Sequence, residues 1–372
     1  MHTPSPEEIL SGIREWVEVE SQTADVAGVN RMMDIVQANY DGIGATTERI
    51  AGTDGRGDHL SVASPWGGEE KGILVLSHLD TVHPTGTLET LPYRIDGDKA
   101  YGPGIYDMKG GAYLAWVAYR AIVEAGRTTP LPIRFLYVSD EEVGSPTSRR
   151  HIEAAGECAK FVLVTEPARD GGKIVVGRQG SARFRMTTHG RPAHSGGRHS
   201  YGRSAILEMA RQIVDIEART DYDRKITTNV GLIDGGSAVN TIPEHCRAQL
   251  DIRFNDLAVG QEMVAWLMER KSYDDDVTLK IEGGITRPPF DRTPAIDSLF
   301  SHAKGLAAEI GFELVGTWTG GGSDACFVAD RVPLLDGLGV DGAGAHTLEE
   351  HLYISSLVPR MLLMRRLFET LS

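Results

Sequence analysis

The amino-acid sequence predicts an α/β protein, with a mainly parallel sheet covered by helices on both faces and interrupted by a smaller α+β domain. Three observations carry this. The 372 residues exceed what one ordinary core organises, so two domains are expected. Short, near-continuous apolar runs at 73–76, Ile133–Val138 and 161–164 alternate with helical segments, as in parallel strands buried on both faces. Near Gly177 the pattern changes to polar–apolar alternation, which belongs to strands with one wet face.

Along the chain, Ser5 before Pro6-Glu7-Glu8 is a helix start, and Ile9, Ile13 and Trp16 follow at helical spacing. Residues 108–125 are rich in Ala, Leu, Val, Tyr and Trp with no breaker after Gly111, so a buried helix is expected. Residues 181–188 alternate, 204–218 form an amphipathic helical pattern, and 227–233 and 248–254 alternate again. A helix over 261–271 and a strand over 277–281 complete a βαββαβ order, the ferredoxin-like split βαβ arrangement. This places the smaller domain at 178–289 and leaves 1–177 and 290–372 as the interrupted larger one, with Pro288-Pro289 as the return hinge. After the hinge come a helix over 295–310, a strand near Leu314 and a closing helix from Ser355.

Composition narrows the function classes. Hydrophobic residues make up 41% and charged residues 24%, values of an ordinary water-soluble protein. A net charge of −14, with no local Lys/Arg cluster, argues against nucleic acid as a partner. Cys158, Cys246 and Cys326 are far apart and odd in number, which excludes a disulfide framework or a cysteine-type zinc site. Buried reduced thiols and a reducing compartment are expected instead. The N-terminus has no basic and apolar leader pattern, and no apolar stretch reaches membrane-spanning length, so a cytoplasmic protein without membrane contact is expected.

The chemistry gathers at strand ends. Glu141 and Glu142, in Val138-Ser139-Asp140-Glu141-Glu142-Val143-Gly144, follow an apolar run, and carboxylates there need positive charge nearby. Adjacent side chains point apart, so one metal ligand and one free base is the natural division. His78, in Ser77-His78-Leu79-Asp80, also ends a run, and Asp80 two residues on can accept a hydrogen bond from its imidazole and fix the tautomer. Asp107 closes the glycine-rich loop Tyr101-Gly102-Pro103-Gly104-Ile105-Tyr106-Asp107. No strand is expected to abut that loop, and Asp107 stands where a dinucleotide fingerprint needs its third glycine. Asp107 reads either as a helix cap or as a carboxylate bridging two cations. Glu166, in Thr165-Glu166-Pro167, ends another buried strand, and His346 lies in a late glycine-rich loop. Taken together this is an O/N donor set without thiolates, suited to Zn²⁺ or Co²⁺ and less readily to Mn²⁺.

These motifs, with Asp107-Met108-Lys109-Gly110-Gly111 and Asp140-Glu141-Glu142-Val143-Gly144-Ser145, resemble in order and spacing the M20 metallopeptidases, a family that includes glutamate carboxypeptidase, acetylornithine deacetylase, succinyl-diaminopimelate desuccinylase and aminoacylase-1. Gly320-Gly321-Gly322-Ser323-Asp324-Ala325 and Thr286-Arg287-Pro288-Pro289-Phe290 resemble the glutamate carboxypeptidase branch most. The resemblance implies two Zn²⁺ per subunit, with Co²⁺ or Mn²⁺ as alternatives. One would be held by His78, Asp107 and Glu166, the other by Asp107, Glu142 and His346. It also implies that Glu141 is the general base acting on a metal-bridging water, that Asp80 is the partner of His78, and that the larger domain is catalytic while 178–289 forms a lid and dimerisation domain.

The resemblance further assigns His194 to a lid histidine that polarises the scissile carbonyl, often in the partner subunit's site of a homodimer. His189 and His199 read as exposed loop residues. Asn240, Arg253, Arg287 and Gly321 are candidates for binding the substrate; the arginines suit bidentate recognition of a carboxylate, and a surface ion pair is the other reading of Arg253. The expected substrate is a small N-acyl amino acid or dipeptide with a free carboxylate, and loops 84–93 and 171–178 are expected to wall its pocket. Two rivals remain. A serine hydrolase could use Ser323, whose flanks lack the second glycine of a nucleophile elbow. A non-catalytic metal-binding module would leave Glu141 without a task.

Overall fold

The computed structural model describes residues 2–372. The chain divides into two compact units. The first holds the residues up to Gly177 with 292–319 and 323–372; the second holds 178–291 with 320–322.

The first unit is built on a six-stranded sheet in the order Thr46–Ile50, His59–Ala63, Ile133–Val138, Gly72–His78, Ala159–Val164, Leu334–Leu335. Gly72–His78 runs parallel to both of its neighbours, and Leu334–Leu335 extends the parallel run on one side. Every residue of Gly72–His78 is buried, so both faces of the sheet are covered at its centre. Gly72 starts that strand because a Cβ there would sit 2.1 Å from the Pro132 carbonyl oxygen. Thr46–Ile50 and His59–Ala63 form an antiparallel hairpin on the far edge, which the polar sequence Thr-Thr-Glu-Arg-Ile gave no hydrophobic reason to expect.

Helices pack around this sheet. Pro6–Val17 opens with Ser5 and Glu8 in a reciprocal capping box, which satisfies two amide donors of the first turn. Gly110–Glu124 is buried along almost its whole length and packs against Leu357–Thr370. Tyr40, from the helix Val26–Asp41, packs among Trp116, Tyr119, Phe135 and Tyr137. Its hydroxyl lies 2.7 Å from that of Tyr137, so neither buried oxygen lacks a partner.

A second, four-stranded antiparallel sheet in this unit decides the site. Its order is Gly342–Ala343, His351–Tyr353, Lys99–Tyr101, Arg94–Asp96. His351 stands opposite Tyr101. That register lays the late hairpin carrying His346 beside the loop that leads to Asp107. A short strand therefore does abut the glycine-rich loop, contrary to expectation; its three residues were too few to show a period. Residues 171–178 also differ from the loop expected, since Ile174–Arg178 is a buried strand paired with Gly316–Thr319. The latter is the strand expected near Leu314.

The second unit follows the predicted βαββαβ order. Its four strands stand in the antiparallel order Ile226–Gly235, His245–Phe254, Gly180–His189, Thr278–Arg287. Ala182, Phe184 and Met186 point inward and pack with Met209, Ile216, Leu250, Ile252, Met263 and Leu267 beneath the helices Ala205–Glu217 and Leu257–Met268. The alternate residues Arg183 and Arg185 are exposed, as one-sided burial requires. Residues 320–322 join this unit: Arg178 Nη1 donates to the carbonyl oxygens of Gly321 and Gly322 at 3.1 and 2.7 Å. Cys246 and Cys326 are buried, but Cys158 is exposed at the end of the helix Arg149–Glu157, against the expectation of three buried thiols.

Candidate metal centre

His78 ends the central strand and is buried. Its Nδ1 lies 2.9 Å from the main-chain oxygen of Asp80. A carbonyl can only accept, so Nδ1 carries a proton, and whenever the ring is neutral its lone pair is at Nε2. The expected bond to the Asp80 carboxylate is longer, at 3.5 Å. That carboxylate is engaged elsewhere: it accepts from Thr23 Oγ1 at 2.7 Å and from the backbone N–H groups of Glu141 and Glu142 at 3.2 and 3.3 Å. Asp80 thus fixes the tautomer of His78 with its backbone and places the two glutamates with its side chain.

Asp107 does not cap a helix. Its Oδ1 lies 3.2 Å from His78 Nε2 and its Oδ2 lies 3.3 Å from His346 Nε2. The same His346 nitrogen lies 3.3 Å from Glu142 Oε2, and Glu166 Oε1 lies 4.0 Å from His78 Nε2. Glu141, half-buried, joins His78 and Glu166 in one group of mutually close donor atoms, and Glu142 joins His78 and Asp107 in another. All five expected ligands and Glu141 therefore meet within the first unit.

The donor set fits divalent cations. In a tetrahedral site with bonds of about 2.0–2.1 Å, neighbouring ligand atoms stand about 3.3–3.4 Å apart; the His78–Asp107, His346–Asp107 and His346–Glu142 separations of 3.2, 3.3 and 3.3 Å are close to that, and His78–Glu166 is wider at 4.0 Å. A neutral imidazole lone pair aimed at a carboxylate oxygen is repulsive unless a cation stands between them. Among the described residues, Glu142 Oε1 is buried with no hydrogen-bond partner. Burial raises the Glu142 carboxyl to about 7, against the pull of its bond to His346. His346 is raised to about 10 by its bonds to Asp107 and Glu142. Burial opposes charge on His78 and Asp107, but the bonds between them and to His346 and Asp80 overcome it, raising the imidazole and lowering the carboxyl. Without a cation the carboxylates thus draw protons onto the imidazoles, and a divalent cation would supply the same positive charge with both rings neutral.

Several residues that hold the site in place escaped the sequence reading. Glu350 is fully buried. Its Oε1 accepts the backbone N–H groups of Tyr106 and Asp107, both at 2.9 Å, and its Oε2 accepts that of Gly104 at 3.1 Å and lies 2.5 Å from His83 Nε2. Asp140 accepts from Thr147 N and Oγ1, both at 2.7 Å, and from Ser148 Oγ at 2.5 Å, which folds the chain after Glu142 back on itself. The acidic pair Glu349-Glu350 after His346 was the available signal, but a solvated surface pair reads the same way.

In the second unit, His194 is exposed and its Nδ1 accepts from the backbone N–H groups of Gly196 and Gly197, each at 3.1 Å. The neutral ring therefore carries its proton on Nε2 and offers a donor to its surroundings. Asn240 is exposed beside it: Ser195 N donates to Asn240 O at 3.0 Å, and His194 bridges to Thr241. Arg253 is clamped by Asp251 at 2.6 and 3.2 Å, so its charge is already matched within its own strand. Arg287 is buried beside Gly322, next to a bulge in its strand. Ser323 is buried, and its hydroxyl caps a short helical turn by accepting from Ala325 N at 3.1 Å, a structural use of the serine weighed above as a nucleophile.

The model of peptidase family M20/M25/M40 matches residues 74–370. Carboxypeptidase G2 of Pseudomonas sp. strain RS-16 is 29% identical over 364 residues, covering 96% of this chain and 87% of that protein. The succinyl-diaminopimelate desuccinylase of Gluconacetobacter diazotrophicus is 27% identical over 376 residues, covering 96% and 95%. Among solved structures, an M20 family metallo-carboxypeptidase from Sulfolobus solfataricus superposes with a TM-score of 0.78 at 16% identity, over 97% of this chain and 98% of the other. The aminopeptidase PepT from Bacillus cereus gives 0.79 at 23% identity over 98% of each chain. The chain belongs to peptidase family M20/M25/M40 and is a metal-dependent hydrolase of amide or peptide bonds.

Proposed function

We propose that the protein hydrolyses the amide bond of a small N-acyl amino acid or dipeptide with a free carboxylate, using two divalent cations, with zinc favoured. The observation that carries this is Asp107, whose two carboxylate oxygens face two different histidines. His78, Asp107 and Glu166 would hold one cation; Asp107, Glu142 and His346 would hold the other. When bound, such a pair supplies Lewis acidity for the scissile carbonyl and makes an attacking water acidic near neutral pH.

The chain's own residues then divide the remaining work. Glu141, its backbone held by Asp80, takes the proton of the attacking water and returns it to the departing nitrogen. His194 offers its Nε2 proton where negative charge develops on the carbonyl oxygen. Arg287 receives the substrate carboxylate, with Asn240 and Gly321 alongside; Arg253 contributes less, because Asp251 already neutralises it. In this reading 1–177 with 290–372 is the catalytic domain and 178–289 the lid.

The lid would also form a homodimer. Ile226–Gly235 is an edge strand, and its Leu232 and Ile233, with Val239 in the turn beyond it and Leu207 and Val214 on the neighbouring helix, are exposed apolar residues. No helix among the described residues is long and apolar enough to cross a membrane, and reduced thiols fit a cytoplasmic setting.

The test is a panel of N-acyl amino acids and dipeptides, each with a free and an amidated carboxylate, assayed with zinc and after chelation. Zinc-dependent release of the amino acid from free-carboxylate substrates is expected. Equal turnover of the amidated forms would overturn the substrate class, and turnover that survives chelation would overturn the metal assignment.

A further inference from the structure

We propose that His189, Glu244 and His245 in the second unit form an additional metal site that takes a borderline divalent cation such as Zn²⁺, Ni²⁺ or Cu²⁺. His189 and His245 end two neighbouring antiparallel strands and stand directly opposite each other in the ladder. Opposed residues project to the same face. Here it is the outer face, since the inward positions Thr188 and Cys246 are buried. The two rings meet edge to face, with centroids 4.2 Å apart.

The chain holds a carboxylate against this pair. Gly190 N donates to the main-chain oxygen of Glu244 at 2.7 Å, which extends the register one step past both histidines. Glu244 Oε1 then lies 3.7 Å from His189 Nε2 and Glu244 Oε2 lies 3.8 Å from His245 Nε2. All three donor atoms fall within 4.8 Å of one another. A tetrahedral cation with bonds of about 2.0–2.1 Å wants ligand atoms about 3.3–3.4 Å apart, so each carboxylate–imidazole pair is a few tenths of an ångström too long, and the three donor atoms, held only within 4.8 Å of one another, must close by up to about 1.5 Å. The side chains are about half exposed and able to make these shifts.

One of the imidazoles is also turned the right way. His189 Nδ1 faces the carbonyl oxygen of Gly190 at 3.1 Å, which commits its proton there and leaves Nε2 as a lone pair toward Glu244. Among the ion pairs of the described residues, Glu244 meets only these two imidazoles and no Lys or Arg. Two imidazoles and one carboxylate select zinc, nickel or copper over magnesium or calcium, and three protein ligands leave a fourth position to water. A cation here would tie two strands of the small sheet together at their ends.

The experiment uses the untagged, zinc-loaded enzyme, so that no added histidines compete. Equilibrium dialysis against Zn²⁺ with metal counting compares the wild type with His189→Gln, His245→Gln and the double variant. All of them keep every residue assigned to the hydrolytic site. One additional equivalent per chain in the wild type is expected, lost in the double variant and bound at least tenfold more weakly in each single variant, with hydrolysis unchanged. Equal stoichiometry and affinity in all four proteins would overturn the proposal. Because the count is a difference between proteins with the same hydrolytic residues, it stands or falls independently of the proposed reaction.

Discussion

Glu350 accepts the backbone N–H of Asp107 at 2.9 Å, and so ties the carboxylate that faces both histidines to the hairpin that carries one of them. The bond runs to the backbone, leaving both side-chain oxygens of Asp107 for the site. Glu350→Ala removes the acceptor for three N–H groups and the partner of His83. Outer partners of this kind typically change metal affinity about 10–100-fold, and that loss is expected, read as zinc affinity against a competing chelator. Unchanged affinity would show that the loop holds its shape without the clasp.

Glu141→Gln keeps the shape of the side chain and removes its basicity. General-base catalysis is worth roughly 10²–10⁴-fold, so kcat is expected to fall by that order while bound zinc per chain stays the same. If metal content falls in step with kcat, Glu141 is a ligand and the division of the acidic pair must be reversed.

Dialysis against a chelator is expected to abolish hydrolysis and lower the melting temperature. A ligand bound only by the folded state stabilises it by about 2.7 kcal/mol at 100 times its Kd, and the cluster of carboxylates around Glu142 loses its counter-charge when metal leaves. Differential scanning calorimetry with and without added zinc measures the effect. A chelated protein melting at the same temperature would argue against cations bridging these side chains.

Arg287→Ala is expected to raise KM for free-carboxylate substrates by about 10–100-fold, the worth of a charge-assisted hydrogen bond, and to leave kcat/KM for amidated analogues nearly unchanged. A matching loss on both would assign Arg287 to the fold of its buried strand end.

His59 carries a pH dependence that does not involve the candidate metal ligands. Burial lowers its pKa below the usual 6.5, with Asp140 opposing the shift, and Ser139 Oγ lies 3.2 Å from its Nδ1. The folded state therefore prefers the neutral ring, and the unfolded state binds the extra proton. This contribution to stability is complete above about pH 6.5 and is lost as pH falls below that value. Melting temperatures between pH 7.5 and pH 5 should fall less steeply for His59→Gln than for the wild type.

The legible parts of this chain were those with long periods or long apolar runs. Gly72–His78 and Ile133–Val138 announce themselves because every or nearly every residue is buried, and the second unit because Ala182, Phe184 and Met186 alternate with exposed arginines. Lys99–Tyr101 and Gly342–Ala343 are too short for either signal, yet their sheet aligns the two loops of the candidate site. Site residues that offer side chains to one another were readable from type and position. Glu350 and Asp140 were not, because they hold backbone N–H groups together with a histidine or hydroxyls outside the ligand set, and no side-chain pattern marks a partner of that kind. The pairing of Asp80 with His78 was read through the carboxylate, at 3.5 Å, and the main-chain oxygen lies nearer, at 2.9 Å.

The antiparallel sheet that joins Lys99–Tyr101 to His351–Tyr353 sets an order of assembly. His78, Asp107, Glu141, Glu142 and Glu166 all leave the ribosome before the second unit is made, whereas His346 and Glu350 follow it. A growing chain can thus gather the early ligands, but it cannot complete the cluster or clasp the Asp107 loop until the last hairpin docks. The candidate centre is in this sense a late product of synthesis, and a chain cut short between Glu166 and that hairpin carries most of the candidate ligands and none of the closure.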